Sequence, residues 1–273
     1  SEAQQELARI WGVDEPVYLQ FLHWLGNVFQ GDLGYSRMLG GQPVLDQLIV
    51  RIQPTAILVA SSLLLVLVCG LLAGVLAATF RDGWFDRLVR AASYCTIAAP
   101  SFWVGLLLLW VFSTWLGWLP AGGTADLRAV NVSGIDPRYM ILPTVSLAAT
   151  QFGWFAMFVR NQMLEVMRDD YVRFAESLGL SRGAVLLRHA LPNALLPFLT
   201  LFGTNLAEIV GGTVLVETVF AWPGVGQLAV QAAQAVDLPL LVAITLAGSV
   251  LVVIGNLVAD ICYRLVDPRV REA

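Results

Sequence analysis

Residues 55–80 read TAILVASSLLLVLVCGLLAGVLAATF, and this stretch decides the fold class. No charged residue lies between Arg51 and Arg81. A helix crosses the hydrocarbon core of a bilayer in about 20 residues, so the run is read as a transmembrane span. Working outward, a second charge-free run separates Arg90 from Asp126, with Pro100 near its start and Trp103, Trp110, Trp115 and Trp118 along it. Tryptophans at its far end suit an interfacial belt. A third span fits between Arg138 and Arg160, beginning near Met140. A fourth covers residues 194–216, interrupted by Glu208, and a fifth covers residues 240–263. The expectation is an all-α membrane protein with five transmembrane helices in this chain.

Composition agrees. The 273 residues are 58% hydrophobic and 13% charged, with a mean hydropathy of +0.73, more apolar surface than a soluble domain of this size can bury. The net charge of -4 leaves no basic face, so nucleic acid is not an expected partner. All 16 basic residues are Arg. A Walker A loop places a Lys on the nucleotide phosphates, so a standard P-loop ATPase site is excluded from this chain and ATP chemistry must come from elsewhere. Cys69, Cys95 and Cys262 stand singly in apolar surroundings and read as packing or lipid-facing residues. His23 and His189 lie far apart, which argues against a histidine-based metal site and leaves no metal ligand set in the chain.

Arginine placement sets the orientation, because short cytoplasmic loops collect basic residues. Arg81, Arg87 and Arg90 follow the first span; Arg160, Arg168, Arg173, Arg182 and Arg188 follow the third; Arg264, Arg269 and Arg271 lie in the tail. The alternate loops hold only Arg128 and Arg138, or no basic residue at all. The C-terminus is therefore expected in the cytoplasm and residues 1–52 outside, ahead of a transmembrane domain over 53–273. An odd span count with the tail inside predicts a sixth, N-terminal span ahead of Ser1. Within the external segment, Val17, Phe21, Leu22, Trp24, Leu25, Val28 and Phe29 form an apolar face, as in a helix lying at a membrane surface. Gly31, Gly34, Gly40 and Gly41 then break the chain, and Pro43 is placed to open a short helix through Leu45, Leu48 and Ile49 that feeds the first span near Pro54.

The longest cytoplasmic loop, residues 161–193, has a pattern of its own. Met163, Val166, Met167, Tyr171, Phe174 and Leu178 recur at helical spacing. Gly179 permits the left-handed conformation that ends a helix. Ser181 is an expected N-cap for a second short helix through Val185, Leu186 and Leu187, closed by Pro192. The prediction is a helix-turn-helix beneath the membrane.

In this loop Arg173-Phe174-Ala175-Glu176-Ser177-Leu178-Gly179, nine further residues, and His189-Ala190-Leu191-Pro192 resemble the EAA loop of binding-protein-dependent ABC importer permeases. Gly179, Leu191 and Pro192 fall on the matching positions. Asp170-Tyr171-Val172 with Arg173, Gly179-Leu180-Ser181, Arg188-His189-Ala190 and Asn193-Ala194 resemble the branch that imports dipeptides, oligopeptides and nickel. Pro43-Val44, Leu142-Pro143, the stretch from Glu217 to Gly226, and Asp260 followed by Asp267-Pro268-Arg269 are similar to the same branch. Glu176, Ser177 and Leu178 depart from the more usual Arg-Ala-Lys and make the loop less basic.

The resemblance implies a type I importer fold and a role as the permease of an ATP-driven importer, with peptides as cargo and nickel chelates as the alternative. It implies as partners a homologous sister permease, one or two ATPase subunits carrying ATP and Mg, and an external substrate-binding protein. In such transporters the loop sits in a groove of the ATPase, which assigns coupling to Arg173, Ala175, Glu176, Gly179, Leu180, Ser181, His189, Leu191 and Pro192.

Other residues carry two readings. Glu208, followed by Gly211 and Gly212, either lines the translocation pathway or bonds between helices. Trp222, Pro223 and Gly224 either contribute to docking of the binding protein or form a re-entrant turn. Asp260 and Arg264 are spaced for an i,i+4 ion pair. A secondary transporter should show repeated halves and several ionisable groups at mid-membrane, and only Glu208 has that character. An intramembrane protease would need a nucleophile and base; there is no HExxH or GxSxG, and no catalytic residue is assigned.

Overall fold

The described residues open with helix α1, Val17–Phe29, none of whose side chains is buried. The computed structural model describes residues 16–125 and 134–266; within its last long helices some side chains, including those of Glu208, Asp260 and Arg264, lie outside the described residues. So do the expected charges at Asp126, Arg128, Asp267, Arg269 and Arg271. Gly31, Gly34, Gly40 and Gly41 all take positive φ. Between them runs a two-residue antiparallel hairpin, β1 (Tyr35–Ser36) and β2 (Gln42–Pro43), which the all-α expectation did not contain.

Pro43 then caps α2, Val44–Thr79. The short helix and the first span expected from sequence are one continuous helix of 36 residues, about 54 Å long at 1.5 Å per residue. Pro54 is accommodated inside it. Helix α3, Trp84–Ala98, and helix α4, Ser101–Leu108, follow, and a wide π turn, Leu109–Trp115, continues α4. The two arms are bent by 108° where the sequence suggested one straight span. The cause is Pro100, which holds Ala99 extended at φ -84° and ψ 127° and restarts the helix at its own position. Trp103, Trp110, Trp115 and Trp118 are all exposed, as a belt toward lipid requires.

Helix α5, Pro137–Val166, replaces the shorter third span. Its packing against α2 is the most extensive in the fold. The contact is close because Gly74 has no side chain: a Cβ there would lie 2.7 Å from the Ala156 carbonyl oxygen. Two short helices lead on, α6, Asp170–Ser177, and α7, Arg182–Ala184, with its π continuation Val185–Ala190, and then the long α8, Leu191–Val219. Helix α9, Val225–Gln234, and α10, Leu238–Val266, complete the chain. Among the described residues three helices are long and apolar enough to cross a membrane, or four if the bent pair is one span. The 29 residues of α8 occupy the place of the fourth expected span.

Candidate functional site

The candidate coupling segment, residues 161–193, is built differently from the predicted helix-turn-helix. The expected helix over 161–178 breaks after Val166, where the amides of Arg168 and Asp169 bond back to Glu165 and Val166 and Asp169 turns extended. This break rephases the apolar stripe. Met163 and Val166 stay buried on α5, whereas Tyr171, Phe174 and Leu178 face outward, and Val172 and Ala175 take the inner face of α6. Gly179 has φ +80°, the left-handed turn expected of it. The Ser181 hydroxyl accepts the Ala184 amide at 3.4 Å, as an N-cap does.

Pro192 does not close the second helix. It stands in the first turn of α8, and the helical path runs from Arg182 through the π turn into that span. A proline clashes with the carbonyl four residues before it, and the wider π turn just upstream gives the chain room to pass. Val185 and Ala190 are buried on this path, Leu191 and His189 are half-buried, and Pro192 is exposed. The Asn193 amide donates to the His189 carbonyl at 2.8 Å.

The segment thus has two faces. Inward, Val172, Ala175, Val185 and Ala190 belong to one apolar cluster with Val66 and Ala78 of α2 and Phe155 and Val159 of α5. Outward, Phe174, Leu178 and Leu187 are each exposed by more than 60%, with Arg173, Glu176, Leu180 and Ser181 around them, also exposed. Ala175 is the exception in the implied coupling set, because it is buried. Polar contacts add to the attachment. Arg182 Nη2 donates to the Thr79 carbonyl at the end of α2, at 3.4 Å, a cation on a helix C-terminus. At the neighbouring end of α5, Arg160 is paired with Asp86 of α3, both buried.

At 1.5 Å per residue the 29 residues of α8 span about 43 Å, so its far end is remote from the coupling segment. There the side chain of Trp222 is fully buried and its Nε1–H donates to the Pro54 carbonyl at 3.0 Å. Gly224 is buried as well and Pro223 half-buried. Trp222 and Gly224 therefore face the interior, where the turn folds back on α2, and Pro223 is the most accessible of the three. Glu217, also fully buried, organises that turn. The Thr55 hydroxyl donates to Glu217 Oε1 at 2.6 Å, and the Gln227 amide donates to Oε2 at 2.9 Å. The Thr55 oxygen in turn accepts the Val225 amide at 2.9 Å.

Glu208 lies on α8 with its side chain outside the described residues. Gly211 is exposed with open space around it, and a Cβ on Gly212 would touch Leu147 at an ordinary 3.4 Å.

Three buried acidic residues carry structure that sequence reasoning did not assign: Asp86, Glu217 and Asp237. Glu217 was visible only as part of a motif, and the other two as ordinary loop charges. A carboxylate beside an apolar span and a glycine turn was the available signal. Asp237 accepts the Ser36 hydroxyl at 2.6 Å, the Met38 amide at 3.0 Å and the Leu240 amide at 3.4 Å, tying the hairpin to the start of α10. Burial pushes its carboxyl up, but these donors outweigh burial and hold it below the usual carboxylate range.

Residues 70–272 match the family described as binding-protein-dependent transport system inner membrane component. The oligopeptide transport system permease protein AppB of Bacillus subtilis is 39% identical over 98% of this chain and 84% of its own length. The glutathione transport system permease protein GsiC of Escherichia coli is 37% identical over 95% of this chain and 81% of its own. A putative peptide transport system permease protein of Brucella abortus is 40% identical, covering 95% and 82%. Among solved structures, the MetNI methionine ABC transporter in an inward-facing conformation superposes with a TM-score of 0.69 at 19% identity, over 83% of this chain and 99% of that one. That likeness concerns the fold. The expected all-α importer-permease architecture holds, and the chain belongs to the family of inner membrane components of binding-protein-dependent transport systems.

Proposed function

We propose that this chain is the permease of an ATP-driven importer of short peptides, working as half of a pore with a homologous sister permease. The observation that carries the mechanism is the two-faced coupling segment: an inner face continuous with the core of α2 and α5, and an outer face of exposed Phe174, Leu178 and Leu187. An ATPase subunit seated on the outer face would move the segment when it closes on ATP and Mg. The shared core would pass that movement to the spans, which is how a packed two-state element couples two sites. The chain itself carries no catalytic site in this reading.

The substrate class rests on relatives. Those at 36–40% identity are named for oligopeptide, peptide and glutathione transport, and glutathione is a tripeptide. Arginine placement supports five spans with the coupling segment and C-terminus in the cytoplasm, and residues 1–52 and the turn after α8 outside. On that side α1, with no buried side chain, lies in the interface, and the exposed parts near Pro223 face the binding protein. Affinity purification of the chain from gently solubilised membranes tests the assembly. A sister permease and one or two ATPase subunits should accompany it; recovery of the chain alone, with no nucleotide-dependent activity, would contradict the proposal.

A further inference from the structure

We infer that Glu217 is a positioning residue that fastens the turn at 220–226 and helix α9 onto the start of α2, so that the two travel as one body through the transport cycle. The inference rests on the importer reading above.

Three hydrogen bonds cross the joint, and a fourth ties Glu217 to α9. Glu217 uses both carboxylate oxygens, one for Thr55 of α2 and one for the Gln227 amide of α9. Thr55 returns the link by accepting the Val225 amide, and the Trp222 indole adds a second bolt to Pro54. A backbone carbonyl has two lone pairs, so the Pro54 oxygen can take this outside donor. The glycines make the fit specific. A Cβ on Gly224 would overlap the Glu217 carboxylate, and one on Gly226 would lie 2.6 Å from Val214 Cα and 2.9 Å from Glu217 Oε2. Phe220 and Trp222 pack in the same apolar cluster as Leu58 of α2, so polar and apolar contacts hold the same joint. Parting these surfaces would strand a buried carboxylate and an indole N–H without partners, which packed interiors avoid. The other end of α2 receives Arg182 from the coupling segment. Movement arriving there would therefore carry the distant turn with it.

The joint predicts how substitutions behave. In Glu217→Gln the amide group can donate to the Thr55 oxygen, whose own proton then turns to the Arg51 carbonyl, 3.3 Å away; the amide oxygen keeps the Gln227 N–H. A proton-carrying or charge-dependent Glu217 would not survive that change. The test uses the assembled transporter in proteoliposomes, with Cys69, Cys95 and Cys262 replaced by Ser and uptake read relative to the unaltered complex. Glu217→Gln should transport within about threefold of wild type, and Glu217→Ala should lose at least tenfold while assembling normally. Thr55→Cys with Val225→Cys, at positions that the 2.9 Å bond from the Val225 amide to the Thr55 hydroxyl brings together, should transport equally well bridged by a short bifunctional thiol reagent or left open. Bridging should also restore uptake in the Glu217→Ala background. A bridged complex that stalls and recovers on cleavage of the reagent would show that the surfaces part in the cycle and overturn the inference. So would an inactive Glu217→Gln, or an unimpaired Glu217→Ala. Should Glu217→Ala fail to assemble, the bridged pair alone decides. Absence of ATP-driven uptake by the wild-type complex would instead count against the importer reading.

Discussion

Arg160 grips Asp86 with two parallel bonds, Nε to Oδ1 at 2.6 Å and Nη2 to Oδ2 at 2.8 Å, across 74 positions of sequence. Asp86 is fully buried and Arg160 nearly so. The Asp82 amide at 2.9 Å and Arg90 Nε at 3.6 Å complete the carboxylate's shell. The pair holds the first arm of the bent helix against α5 beside the coupling segment, where a two-pronged guanidinium fixes orientation as well as distance.

Removing one partner should be worse than removing both. Asp86→Ala leaves the buried Arg160 guanidinium without its carboxylate and should cost about 3–5 kcal/mol. Arg160→Ala leaves Asp86 with Arg90 Nε, 3.6 Å away, and should cost less than that, and an apolar pair of similar volume should cost least. Thermal unfolding of the detergent-solubilised protein, followed by the loss of its monodisperse peak, checks the order of the three variants.

Gly179→Val should lower transport more than it lowers folding. At φ +80° a β-branched residue is strained by about 1–3 kcal/mol, and the strain falls on the turn between the two coupling helices rather than on a span. Uptake and thermal stability measured on the same preparation separate the two effects.

The outer coupling face should tolerate charge in isolation and fail in assembly. Leu187→Glu and Leu178→Glu place charges on positions already 62% and 66% exposed, so permease stability should change by about 0.5 kcal/mol or less. Recovery of ATPase subunits with the tagged permease should fall at least tenfold for the double variant.

The hairpin anchor should respond to acid in a defined direction. The folded carboxyl of Asp237 lies below its unfolded value of about 3.9. Its contribution is therefore fully present above that value and is lost as pH falls through the lower folded one. Protection of the Met38 and Leu240 amides, taken relative to their intrinsic exchange at each pH, should hold down to about pH 4 and fall below it, while Asp237→Asn should show weaker protection with little of this dependence.

What the sequence made legible was local. Charge-free runs marked the long helices, Gly179 its left-handed turn and Ser181 its cap, because each depends on residues within one or two helical turns. Pro100 was visible, but a bend of 108° depends on what each arm packs against. Periodicity does not show the break after Val166, because the apolar spacing continues through it although the chain rotates there and turns Val172 inward in place of Phe174. Pairings such as Asp86 with Arg160, Thr55 with Glu217 and Ser36 with Asp237 join residues 74, 162 and 201 positions apart. No periodicity encodes such a distance, and each of these residues reads as an ordinary polar group until the helices are packed.

Uptake of a labelled short peptide by proteoliposomes holding the complete transporter tests the central claim most directly, with wild type compared with Leu178→Glu/Leu187→Glu. The account predicts accumulation that needs hydrolysable ATP and the binding protein, and its loss in the variant while the separate ATPase subunits still hydrolyse ATP. Accumulation driven by an ion gradient without the ATPase, or full ATP-driven uptake by the variant, would contradict it.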